Sequence, residues 1–196
     1  MPRLETAPEH KQDEVANELN LIAAAMGFAP NSLRLMAHRP EFVRAFAVMA
    51  GALLGPMNKL EPQLRQMIAH VTSAAAGCSY CQAHTAHGAE RTGVSAEKIE
   101  ALWTDREGPL FTDRERAAID VADAAGQVPN QATDAQFENL RQYYSEEEVT
   151  EIVAIISMFG FLNRWNDTLA TPLEDDPRGF AESHLASLGW QIGPHG

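Results

Sequence analysis

Three observations predict an all-α fold. Nearly every segment with a hydrophobic period shows the helical one, and no alternating β-branched run is long enough for a sheet. Three capping boxes, Thr112/Glu115, Thr133/Gln136 and Ser145/Glu148, each mark a helix start, because the two side chains satisfy each other's free backbone donors.

Taken in order, the first helix is expected over about Asp13 to Met26 and stops at Gly27, with "APNS" as the following turn. Pro40, a good first-turn residue, opens a second that carries Phe42, Val43, Phe46, Ala47 and Ala50 towards Leu54. Pro62 opens a third, with Leu64, Met67, Ile68, Val71, Ala74 and Ala75 on one face, and Gly77 ends it. A further helix is expected from about Cys78 to Arg91, and a short one begins at Ser95. The capping boxes then open three more. The last is the longest and most apolar, through Ile152, Ile156 and Phe159 to about Leu169.

No linker separates domains and no strong repeat is visible, so one domain over 1–196 is expected, with a core over about 40–170 and a tail over about 172–196 that packs through Trp190. The net charge of −12 would repel a phosphate backbone or an anionic lipid surface, so neither nucleic acid nor membrane is expected as a partner. The apolar run from Ile152 to Leu162 is far shorter than the roughly 20 residues a membrane span needs. No secretory signal is visible at the start, which makes a cytoplasmic, reducing setting the expectation.

Both cysteines and two of the seven histidines fall in "GCSYCQAHTAH", Gly77 to His87. Cys78, Cys81, His84 and His87 are competent zinc ligands, but each step of three turns a helical side chain by about 60°, so the four fan over half the circumference. No metal is expected. Two small cysteines filling space at a helix start are the plainer alternative. A C-x-x-C at a helix start favours redox chemistry instead: the free N–H groups and positive dipole end stabilise a thiolate, and the second thiol lies one turn away to resolve a sulfenic acid. His84, one turn past Cys81, is the candidate to take its proton. Gln66, His70, Ser73 and Gly77 fall within about 60° of each other on the third helix, a polar stripe leading to Cys78 or simply a solvated face. Asn163, Arg164 and Asn166 interrupt the apolar pattern late in the longest helix, so at least one should face a polar partner.

The segment Leu64 to Ser95, "LRQMIAHVTSAAAGCSYCQAHTAHGAERTGVS", resembles the core of the alkyl hydroperoxidase D (AhpD-like) family within the carboxymuconolactone decarboxylase superfamily. Its flanks are similar to that group at Pro30 to Phe46, Phe111 to Ala124 and Ser145 to Leu169. The resemblance implies an AhpD-like helical domain with the C-x-x-C at the start of a central helix, a homo-oligomer, and a thiol–disulfide peroxidase. Such an enzyme takes a peroxide substrate and a dithiol or protein electron donor, with no organic cofactor. The family's proton-relay glutamate and histidine fall here on Gln66 and Thr85, which leaves His84 and the stripe through His70 as the candidate relay. By the family's order Cys81 attacks and Cys78 resolves, whereas the helix dipole alone favours Cys78. Two other classes stand beside this one: a cofactor-free lyase with His70 or His84 as general base, and a non-enzymatic oligomer whose disulfide changes its shape.

Overall fold

The computed structural model describes residues 2–196, and among them it contains eleven α-helices, two 3-10 turns and no strand. The expected first helix is two: α1 (Glu9–Asp13) and α2 (Ala16–Met26) are separated at Val15, which leaves helical geometry (φ −128°, ψ 23°) and is fully buried. Gly27 (φ 90°) ends α2 in the left-handed region. Where a turn was expected, α3 (Asn31–Met36) buries Leu33, Leu35 and Met36. A six-residue helix is too short to be stable alone or to show a period, so packing decides it.

α4 (Pro40–Leu54), α5 (Pro62–Ala76), α6 (Ser79–Arg91) and α7 (Ala96–Thr104) follow as the sequence predicts. All three capping boxes form, at the starts of α8 (Asp113–Gly126), α9 (Asp134–Leu140) and α10 (Glu146–Leu169). The expected tail holds a further helix, α11 (Asp175–His184), and two 3-10 turns, Ala186–Leu188 and Gly193–His195. α11 packs on α6, and the Trp190 indole donates to the Ser79 carbonyl at 3.1 Å.

α5 lies at the centre, against α6, α8 and α10. Met67, Ile68 and Val71 meet a core that includes Ile119 and Val121 on α8 and Ile152 and Ile155 on α10, all fully buried. Each such side chain contributes about 1.5–3 kcal/mol relative to an exposed one. The polar stripe of α5 is not a solvated face: His70 and Ser73 are both 0% exposed. Among the described residues no helix is long and apolar enough to cross a membrane.

Candidate active site

The turn between α5 and α6 builds the cysteine pair. Gly77 adopts φ 79°, a conformation that glycine takes without strain, and Cys78 N–H donates back to the Ser73 carbonyl at 3.2 Å. The chain therefore enters α6 with Cys78 as its N-cap, and the thiol rather than a hydroxyl takes the capping role. Cys81 N–H, in the first turn, donates to Cys78 Sγ at 3.4 Å. Both thiols are free and buried. The second sulfur has its own donor: Asn166 Nδ2, on α10, lies 3.4 Å from Cys81 Sγ and also donates to Leu162 O at 2.9 Å.

The chain's end supplies the group beside Cys78. His195 is 1% exposed, and its Nδ1 lies 2.8 Å from the Thr171 carbonyl, which can only accept, so Nδ1 carries a proton. Its Nε2 lies 3.1 Å from Asp167 Oδ1, a second acceptor. Cys78 Sγ, Asp167 and His195 place their reactive atoms within 4.8 Å of one another. Burial works against the charged ring, but Asp167, Cys78 and the Thr171 carbonyl outweigh it and lift His195 to about 9. Each ring nitrogen faces an acceptor, so the surroundings favour the protonated ring beside Cys78.

The Cys78 thiol is pushed up by its hydrogen bond with Cys81, by burial and by charge on Cys81, against the pull of His195 and of Cys81 N–H. The Cys81 charge acts only once Cys81 has ionised. Of the groups facing Cys78, His195 and the helix-start N–H favour its thiolate, while burial and the Asp167 carboxylate oppose it.

A second cluster clamps α6 to the C-terminal segment. His84 Nε2 is 2.6 Å from Glu174 Oε2, and Tyr80 Oη donates to Glu174 Oε1 at 3.0 Å while its ring stacks on His84. The Asn31 N–H donates to the same carboxylate. Burial alone would raise the Glu174 carboxyl, but His84 and the Asn31 N–H hold it below the usual range. Burial and Glu174 together push the Tyr80 phenol well above its ordinary value, so it stays a donor.

The profile of the "Carboxymuconolactone decarboxylase family" matches residues 40–124. The protein YnjA of Escherichia coli (strain K12), itself uncharacterized, is 30% identical over 129 residues, 65% of this chain and 70% of that protein. The chain belongs to the carboxymuconolactone decarboxylase family. Among solved structures similar to this chain is the debrominase Bmp8, as a cysteine-to-alanine variant in complex with 2,3,4-tribromopyrrole, which superposes with TM-score 0.85 at 30% identity over 92% of this chain and 96% of that one. A peroxidase-related protein with an alkylhydroperoxidase AhpD core, from Ralstonia eutropha JMP134, gives TM-score 0.79 at 26% identity over 92% and 95%. The chain is an AhpD-like member of the superfamily.

Within this AhpD-like frame the structure separates the five residues singled out from the sequence. Cys78 and Cys81 come together. His84 faces Glu174 rather than Cys81. His70 is neutral, since burial first and Arg106 beyond it outweigh the Gln82 carbonyl and lower it to about 4. Both its nitrogens are engaged: Nε2 accepts from Trp103 Nε1 at 2.7 Å, and Nδ1 faces the Gln82 carbonyl and Thr85 Oγ1 at 3.1 and 3.0 Å. The Thr85 hydroxyl is in turn given to the Cys81 carbonyl at 2.6 Å. Gln66 lies against Gly88, where an added Cβ would come 2.7 Å from its Oε1, two helical turns past Cys81. Sequence reasoning missed His195, Asp167, Thr171 and Glu174. Only the polar break at Asn163, Arg164 and Asn166 hinted that α10 reaches a polar site.

Proposed function

We propose that the protein is a thiol–disulfide oxidoreductase that reduces a peroxide through Cys78 and Cys81. One observation carries this reading: a buried His195 ring, braced by Asp167 and Thr171, sits beside a helix-capping cysteine whose partner thiol is one turn away. The Cys78 thiolate attacks the outer oxygen of the peroxide, the O–O bond breaks, and the departing alkoxide takes the His195 proton. Cys78 is then a sulfenic acid. The Cys81 thiol attacks its sulfur, the S–S bond forms, and hydroxide leaves with the thiol's proton as water. A dithiol donor reopens the disulfide. In this assignment Cys78 attacks and Cys81 resolves, because the acid–base group stands beside Cys78.

Steady-state peroxide consumption with dithiothreitol tests the reading. Wild type should turn over, and Cys78→Ser and Cys81→Ser should not. Turnover by both cysteine variants at the wild-type rate would overturn it.

The similarity to the debrominase Bmp8 over at least nine-tenths of both chains favours a second reading with the same thiols. There, Cys78 takes bromine from an electron-rich bromoarene whose carbon is protonated, and Cys81 displaces bromide to form the same disulfide. Bromide release from 2,3,4-tribromopyrrole with dithiothreitol, in the absence of peroxide turnover, would move it to first place.

Leu21, Val48 and Met57 are 70%, 76% and 88% exposed, and these apolar surfaces fit the association of copies into a homo-oligomer. Light scattering tests this: a monomer at micromolar concentration would refute it. A reducing, cytoplasmic setting fits two free cysteines poised for turnover.

A further inference from the structure

The reactive thiols are 0% and 3% exposed, so a substrate needs a route to them. A cleft of about 250 Å³ opens between α5, the end of α8 and one face of α10, where Gly160, Asn163, Arg164 and Asp167 recur at helical spacing. Asp167 joins it to the site: it lines the cleft, and its carboxylate is within 4.8 Å of Cys78 Sγ.

Two further features point to a ligand. Asn163 is 2% exposed, and neither its amide nitrogen nor its amide oxygen has a hydrogen-bond partner among the described residues. Leaving both unmade is costly, and a bound molecule that accepts from one and donates to the other removes that cost. Arg164, next in sequence and exposed, has no salt bridge among the described residues, although the chain carries 27 acidic side chains. Among the described residues, the one carboxylate lining the cleft, Asp167, already faces His195. Arg164 is therefore the positive charge that the cleft offers a ligand.

We propose that this cleft is the substrate site, and that it takes a small organic anion, a carboxylate-bearing hydroperoxide, with Arg164 holding the carboxylate, Asn163 the polar end, and the O–O bond presented past Asp167 to Cys78. The inference rests on the thiol reading above and adds its substrate class. The volume lies just below the roughly 300 Å³ at which drug-sized pockets begin, which limits the ligand to a compact one. Gly160 sets the room. A Cβ built there meets nothing within 4 Å, so a larger side chain would occupy the cleft without displacing the fold.

Cysteine alkylation tests this without requiring turnover. Iodoacetate and iodoacetamide each form an S–C bond and release iodide, and they differ mainly in charge. Rates are read by intact mass and divided by the rates for glutathione. Wild type should favour iodoacetate by about fivefold over that reference, the scale of one partly exposed ion pair, and Arg164→Gln should lose the preference. Gly160→Leu should slow both reagents by about tenfold, as obstructing a positioned approach does, with Gly160→Ala in between and the melting temperature held. Turnover of para-carboxylated cumene hydroperoxide should exceed that of cumene hydroperoxide in wild type and lose that advantage in Arg164→Gln. If alkylation follows this order while no hydroperoxide is consumed, the cleft stands as the access route and its assignment to peroxides falls. If Gly160→Leu and Gly160→Ala alkylate at the wild-type rate, or Arg164→Gln keeps the charge preference, the cleft is not the substrate site.

Discussion

Replacing His195 with Gln removes the imidazolium and keeps an amide of similar reach. Burial disfavours the ring's charge, yet its neighbours lift it from 6.5 to about 9. At about 1.4 kcal/mol for each pH unit, that is a preference for the protonated, folded form of about 3 kcal/mol. Because the folded value lies above the unfolded one, this stabilisation is present in full below about pH 6.5 and is lost as pH rises through about 9. Urea unfolding of wild type and His195→Gln between pH 6 and 10 is the assay. The gap between the two should approach 3 kcal/mol at pH 6 and close towards pH 10, leaving only the packing difference. Asp167→Asn should show a smaller gap from His195→Gln at pH 6, since Asp167 is the foremost group holding the proton. A gap that does not change with pH would refute the charged His195 and with it the acid beside Cys78.

The remaining expectations concern groups around the pair. Gln66→Glu should leave turnover unchanged, because position 66 faces Gly88 and not a cysteine; a rate increase would show that the relay passes through α5. Asn166→Leu should slow disulfide closure after peroxide addition, since Cys81 Sγ loses its N–H donor, and stopped-flow fluorescence reads this; unchanged closure would remove Asn166 from the site. Ile68→Ala, at a fully buried position in the centre of the core, should cost about 2–5 kcal/mol of stability in urea, and a loss under 1 kcal/mol would mean the core collapses around the gap.

Local signals explain what the sequence made legible. Each capping box spans four residues, and each one formed. Gly77 and Cys78 announce the end of one helix and the start of the next within two positions, and Cys78 is the N-cap of α6. The polar stripe of α5 was visible too, but its meaning was not. His70 sits in a buried contact with Trp103, thirty-three residues away, and no period reports that partner. The half of the site that stayed hidden comes from the far end of the chain. His195 stands isolated in "GPHG", and Glu174 falls in an acidic run that reads as solvated surface. What gives both their roles is the packing of α11 and the last turn onto α6, together with a pair of backbone hydrogen-bond acceptors, Thr171 O for the ring of His195 and His195 O for Leu173 N–H. Such contacts are tertiary, and nothing in the local sequence encodes them.

The central claim is that Cys78 attacks an electrophile and Cys81 resolves it. Intact mass after one equivalent of hydrogen peroxide tests it most directly. Wild type should lose two hydrogens and regain them with dithiothreitol. Cys81→Ser should stop at a sulfenic acid on Cys78 that dimedone traps, and Cys78→Ser should stay unmodified over the same time. A sulfenic acid trapped on Cys81 in Cys78→Ser, with Cys78 unreactive in Cys81→Ser, would contradict the account.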